Sequence, residues 1–254
     1  FRQGTIFYIV TAMLFTGAAM MWVTSRSTKE TTSVENTRLK TEDKDAKIKG
    51  DLKYKNESVY IWFLISLIII VLGAASINQV FLLFLNLPEG ILHASDPERS
   101  LILTAWTVGG MIASLLSGGL ADKFGRTRVI LSGLFLAALT PVFYGFSPSV
   151  LIMAVIYGLN GISFWTIQTV GFALIGDLTL EEKKGRLLSR YNTVMALSWG
   201  PAGLFIGGPL ADFQTVSLGL SKQTAYVNCF LVSALIVAIG TTVFFFKVMR
   251  KTVE

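Results

Sequence analysis

The sequence predicts an all-α, polytopic membrane protein with seven transmembrane helices. Of its 254 residues, 52% are hydrophobic and only 15% charged, with a mean hydropathy of +0.61. A soluble domain of this length needs more polar surface to cover its core. The apolar residues gather in long runs free of charge, each long enough to cross a bilayer. The bases concentrate in alternate loops, the pattern by which membrane helices are oriented.

The first span is Thr5–Thr24. Ser25–Glu57 follows, polar and rich in both signs of charge, with few large apolar residues. Such a stretch cannot bury a core and suits a solvated, flexible or partly helical linker. The second span is Val59–Leu83, and the breakers Pro88, Gly90 and Pro97 make Phe84–Ser100 a loop. The third span is Leu101–Leu120. It leads into a charged hairpin, Gly118–Arg128, where Asp122 ends one helix and Arg126 and Arg128 begin the next. An ionised group inside hydrocarbon costs several kcal/mol, so this hairpin lies at a membrane surface. The fourth span is Val129–Phe146. A turn at Ser147–Ser149 puts Pro148 in the first turn of the next helix, and the fifth span is Leu151–Ile175. Asp177–Arg190 reads as a second charged loop, Tyr191–Leu210 as the sixth span, Asp212–Gln223 as a polar loop, and Ala225–Phe246 as the seventh span.

Nearly all bases lie in the linker, the two charged loops and the tail with Lys247, Arg250 and Lys251; the other side has Arg2, Arg99 and Lys222. Positive residues mark the cytoplasm. The expected orientation puts the linker, both charged loops and the C-terminus inside, and the loops with His93, Pro148 and Gln214 outside. The net charge of +6 is thereby explained by orientation in a lipid bilayer, and no nucleic-acid partner is expected. The single Cys229 allows no disulfide framework. The single His93 has no carboxylate cluster around it, so no metal or other cofactor is expected. No nucleophile–base pair marks the chain as an enzyme. The chain starts at Phe1, without Met, and a spanning run follows at once; a piece of a longer protein is expected.

The hairpin carries the most specific signal. Gly119-Leu120-Ala121-Asp122-Lys123-Phe124-Gly125-Arg126-Thr127-Arg128 resembles the signature loop of the major facilitator superfamily, with Thr127 where the family has another base. Asp177–Arg186 is similar to the family's companion loop, and Gly200-Pro201 with Gly203, Gly207 and Gly208 is similar to its glycine–proline helix, at altered spacing. Tyr157 stands where an amino-terminal half would carry Arg. The resemblance implies a carboxy-terminal half: residues 1–24 the last helix of a missing amino-terminal half, 25–57 a cytoplasmic linker, and 58–254 the six-helix unit. Leu120-Ala121-Asp122 and Leu210-Ala211-Asp212, each preceded by paired glycines, echo one another on opposite sides, as nested 3+3 inverted repeats do.

The implied function is a secondary active transporter in the cell membrane, moving a small-molecule solute by alternating access together with its partner half. The implied conformational hinge comprises Gly119, Asp122, Gly125, Arg126 and Arg128, with Asp177 and Arg186 joining the same charge cluster. Asp122 would bond across to the other half. No Asp, Glu, Lys, Arg or His lies deep in spans two to seven, but neutral polar residues do. Asn160, Gln168, Asn78, Gln79 and Asn192, with the aromatic Trp199, are the candidates for a solute cavity. An amide in hydrocarbon needs a partner, so each serves either helix-to-helix bonding or solute contact. The fourth and seventh spans, nearly bare of such groups, read as lipid-facing supports. Seven spans ending inside also fit a seven-helix receptor or retinal-type sensor, although the last span lacks a Lys for a Schiff base.

Overall fold

The computed structural model describes residues 45–88, 90, 92–178 and 181–250. The first span and most of the linker lie outside the described residues. By contacts the chain divides into Phe1–Leu52 and Lys53–Glu254, and the six candidate membrane spans found among the described residues lie in the second unit.

Among the described residues every regular element is helical. They are α1 (Asp45–Ser76), α2 (Asn78–Leu85), α3 (Asp96–Phe124), α4 (Arg126–Tyr144), α5 (Val150–Leu178), α6 (Glu181–Ala202), α7 (Gly208–Asp212) and α8 (Lys222–Phe244). Wider π-helical turns at Gly203–Gly207 and Phe213–Ser217 carry α6 through α7 as one rod, and a third, Phe245–Met249, extends α8. Together these make six stretches long and apolar enough to cross a bilayer, Glu57–Leu85 being the first and Lys222–Met249 the last.

Several boundaries differ from the sequence reading, each for a local reason. The loop after α2 is shorter because Ser95 and Glu98 form a reciprocal capping box with Pro97 in the first turn. These contacts satisfy the exposed N–H groups at the start of a helix, so α3 begins before its apolar run. Pro148 lies two residues ahead of α5 rather than inside it. Asp177–Arg190 is mostly helix: α5 runs to Leu178 and α6 starts at Glu181. Glu, Lys, Arg and Leu are good helix formers, and their charge marks the membrane surface rather than a break. Asp212–Gln223 is helical as far as Ser217. Its polar groups are met within the fold: Thr215 donates to the Ala211 carbonyl at 3.0 Å, and the buried Gln214 accepts from Asn228 Nδ2 at 2.7 Å. The span expected at Val59–Leu83 is interrupted at Ile77, where α1 gives way to α2.

Glycines set the helix crossings. Gly73 on α1 faces Ile236 and Val237 on α8, while Gly240 on α8 faces the backbone of Ile70 and Ser66. Gly109 on α3 meets the backbone of Gly158 on α5, and Gly161 on α5 meets that of Trp106 on α3. Small residues at such crossings let backbones approach where no hydrophobic force drives helices together. Two apolar clusters fill the spaces between. One, toward the charged hairpin, contains Phe63, Leu134, Leu174, Tyr191 and Phe244. The other, toward the His93 loop, contains Phe81, Phe84, Tyr144, Met153 and Phe230.

The fourth span, expected to face lipid, is well packed within this unit: half (50%) of its membrane window is buried, against 28% for α3. Gly133, Ala137, Thr140 and Pro141 are all buried and admit α5. The exposed surface is instead prominent on α3, where Met111, Leu115 and Leu116 are 63%, 82% and 58% exposed.

Candidate functional site

Two regions gather the polar side chains. The first is the charged hairpin. Helix α3 ends at Phe124 and α4 begins at Arg126, so the reversal rests on Gly125 alone, at φ 92°. A side chain at that φ is strained. The Gly125 N–H returns to the Ala121 carbonyl at 2.9 Å and closes the helix end. Arg126 turns inward: its Nη1 lies 2.6 Å from Asp177 Oδ2 and also donates to the Ala173 carbonyl. One guanidinium therefore ties the start of α4 to the last turns of α5, joining the two charged segments. Asp122, Arg128 and Arg186 stay exposed. Gly119 has nothing within 4 Å of where a Cβ would stand, so it makes no tight crossing within this unit.

The second region is a cavity of about 240 Å³ lined by α1 through α6, α4 contributing Ala137. Of the candidate residues, Asn78, Asn160 and Trp199 line it, beside Trp106, Phe164 and Met195. The interruption at Ile77 places Asn78 at its wall. Gln79 instead lies against Gly203, on the π-helical turn after α6. The Gln168 amide oxygen accepts from the Tyr191 hydroxyl at 3.4 Å, and Asn192 is exposed; neither lines the cavity. Asn160 serves two helices at once. Its Oδ1 accepts from Trp106 Nε1 at 3.3 Å, and its Nδ2 donates to Thr140 Oγ1 at 2.9 Å. Among the described residues lining the cavity there is no carboxylate, amine, guanidinium or imidazole.

Trp106 is the residue that sequence reasoning missed. It lies within an apolar run, where an aromatic reads as core. Its indole N–H, which needs an acceptor when buried, was the available signal, and Asn160 on another helix is that acceptor. Tyr157, singled out only as marking which half this is, also lines the cavity and stacks on Phe81 at 4.4 Å.

The family model for the Major Facilitator Superfamily matches residues 69–254, which covers the hairpin, the cavity and five and a half of the six spans. The chain belongs to the major facilitator superfamily. Among relatives in this superfamily, Multidrug resistance protein 2 of Bacillus subtilis (strain 168) is 25% identical over 193 residues, 76% of this chain and 45% of its own length. The uncharacterized MFS-type transporter YqjV of the same organism is 31% identical over 163 residues, 61% of this chain and 38% of its own. Solute carrier family 2, facilitated glucose transporter member 2, of Rattus norvegicus is 29% identical over 150 residues, 56% of this chain and 28% of its own. The chain thus matches less than half the length of each. Membership gives the seven-helix receptor no support.

Proposed function

We propose that this chain is the carboxy-terminal half of a secondary active transporter, moving a small solute across the cell membrane by alternating access with an amino-terminal half. The observation that carries this reading is the family match over a six-helix unit that holds a polar-edged cavity between its helices. Relatives more than twice the matched length support the assignment to one half. So does the charged linker before the unit. On this reading residues 1–24, 25–57 and 58–254 are the preceding helix, the cytoplasmic linker and the half itself. The work is transport rather than covalent chemistry.

The hairpin belongs at the cytoplasmic edge, by the positive-inside rule. Arg126 is already committed to Asp177 within the unit. The exposed Asp122 is then the group free to face the partner half, where helix amino-termini carry partial positive charge. A contact made in one state and broken in the other shifts the equilibrium between them. Asn78, Asn160 and Trp199 are the solute contacts from this half. Gln79, Gln168 and Asn192 serve helix packing or the far half.

The full-length protein in proteoliposomes, under proton or sodium gradients and with labelled small solutes, tests this. Gradient-driven flux is expected, with Asp122→Asn slowing it roughly ten-fold or more while solute binding persists, as loss of about 1.4 kcal/mol of a state-dependent contact would. A protein that binds a solute but carries none under any gradient would refute the reading.

A further inference from the structure

The chemistry of the cavity wall narrows the solute, on the reading that this cavity is the transport site. Trp106 Nε1 is a donor and nothing else, so the atom of Asn160 facing it is the carbonyl oxygen Oδ1. That contact fixes the orientation of the amide and turns Nδ2 toward Thr140 Oγ1. A primary amide has two N–H donors and two lone pairs on oxygen. Trp106 takes one lone pair and Thr140 one N–H, which leaves one donor and one acceptor on a half-buried side chain that lines the cavity. Asn78 is also half-buried at the same wall, and its side chain makes no hydrogen bond to another described residue. Trp106, Tyr157, Phe164 and Trp199 give the wall an aromatic side, and most of the rest is aliphatic, Ile70, Leu82 and Ile167 among it. Trp106 and Phe164 have ring centroids 5.6 Å apart, and Phe164 and Trp199 meet edge-to-face at 5.2 Å.

From this we infer that the half-site selects an uncharged, flat aromatic solute bearing a carboxamide-type group, one that offers both a donor and an acceptor, with its amide edge on Asn160 and Asn78 and its rings among Trp106, Phe164 and Trp199. An anion or cation would lose its hydration with no opposite charge on this wall to replace it. An ester of the same shape satisfies the Asn donor but leaves the Asn acceptor unpaired, and a site built to hydrogen-bond discriminates strongly against such an analogue.

The test uses the full-length protein, purified in detergent, with tritiated naphthalene-2-carboxamide as the probe. Methyl 2-naphthoate and naphthalene-2-carboxylate compete against it. The wild type is expected to prefer carboxamide over ester by about ten-fold, the effect of one added hydrogen bond, and over carboxylate by more. Asn160→Leu should collapse the amide-to-ester ratio to within about two-fold. Asn78→Leu breaks no hydrogen bond among the described residues, so it keeps the fold, and it should lower the ratio about three-fold. It decides the matter if Asn160→Leu does not fold. General damage weakens both ligands equally and leaves the ratio alone. A wild-type ratio near one, tighter binding of the carboxylate, or an Asn78→Leu ratio equal to wild type would each overturn the inference. Carboxamide bound with the expected preference but never carried across proteoliposomes would overturn the transport reading and leave this inference standing. Transport of a different solute with no carboxamide binding would do the reverse.

Discussion

Glycine positions that look alike in the sequence carry different weights. Gly118-Gly119 and Gly207-Gly208 are both paired and both precede Leu-Ala-Asp after one or no intervening residue. A Cβ on Gly207 would overlap the Ser76 carbonyl oxygen, at the end of α1. One on Gly118 or Gly119 would meet nothing within 4 Å. Backbone cannot step aside as a flexible side chain can, so Gly207→Ala should cost about 1–3 kcal/mol by overpacking, whereas Gly119→Ala should stay within about 0.5 kcal/mol. Thermal unfolding of both variants in the same detergent checks this; equal midpoints would show that the α1 contact gives way freely. Asn160 makes the complementary point. Its polarity at mid-helix was visible in sequence, but its partners, 20 and 54 residues away, were not.

The described helices are joined by few polar contacts: some link neutral side chains, as Asn160 does, and others reach a backbone carbonyl or pair charges. Gly73, one turn before the interruption at Ile77, has a carbonyl that accepts from the hydroxyls of Ser76 at 2.7 Å and Ser233 at 2.8 Å. The second contact anchors α1 to α8 beside the break. Hydrogen bonds between membrane helices average about 0.6 kcal/mol, so Ser233→Ala should lower stability by roughly that amount, read as a small fall in unfolding midpoint. At the other end Arg126 ties α4 to α5, with Asp177 55% exposed. Water screens a pair this open, so a double-mutant cycle with Arg126→Ala and Asp177→Ala should give a coupling of no more than about 1 kcal/mol. A coupling of several kcal/mol would mean that the pair is far better shielded in the assembled protein than in this unit.

Across the whole molecule, surface character is what bears on the proposed orientation. The bases cluster at the hairpin, at α6 and after α8, while between its charged ends α3 exposes a largely apolar surface that includes Leu101, Val108, Met111, Leu115 and Leu116. With the hairpin inside, a cysteine replacing Lys123 should resist an impermeant thiol reagent in intact cells, and one replacing Asn86 should react. Both positions are exposed, and the native Cys229 is buried and silent. The opposite labelling pattern would invert the topology and move Asp122 to the outer edge.

The all-α membrane class, the six spans of the described unit and the family signature were legible from sequence because they rest on local properties. Run length, charge at helix ends and a contiguous motif are all carried by neighbouring residues. Helix ends were less legible, since a capping box such as Ser95–Glu98, or a buried amide pair such as Gln214–Asn228, lets polar residues continue a helix that composition alone would end. Which amides share a cavity was decided only by the tertiary structure. Gln79 and Asn78 are adjacent in the chain, yet one lies against Gly203 and the other lines the cavity. Neighbours on a helix point about 100° apart, and the break at Ile77 resets which of them faces inward. The pairing of Trp106 with Asn160 likewise depends on α3 and α5 crossing at Gly109 and Gly161, a contact between segments far apart in the chain that no local pattern encodes.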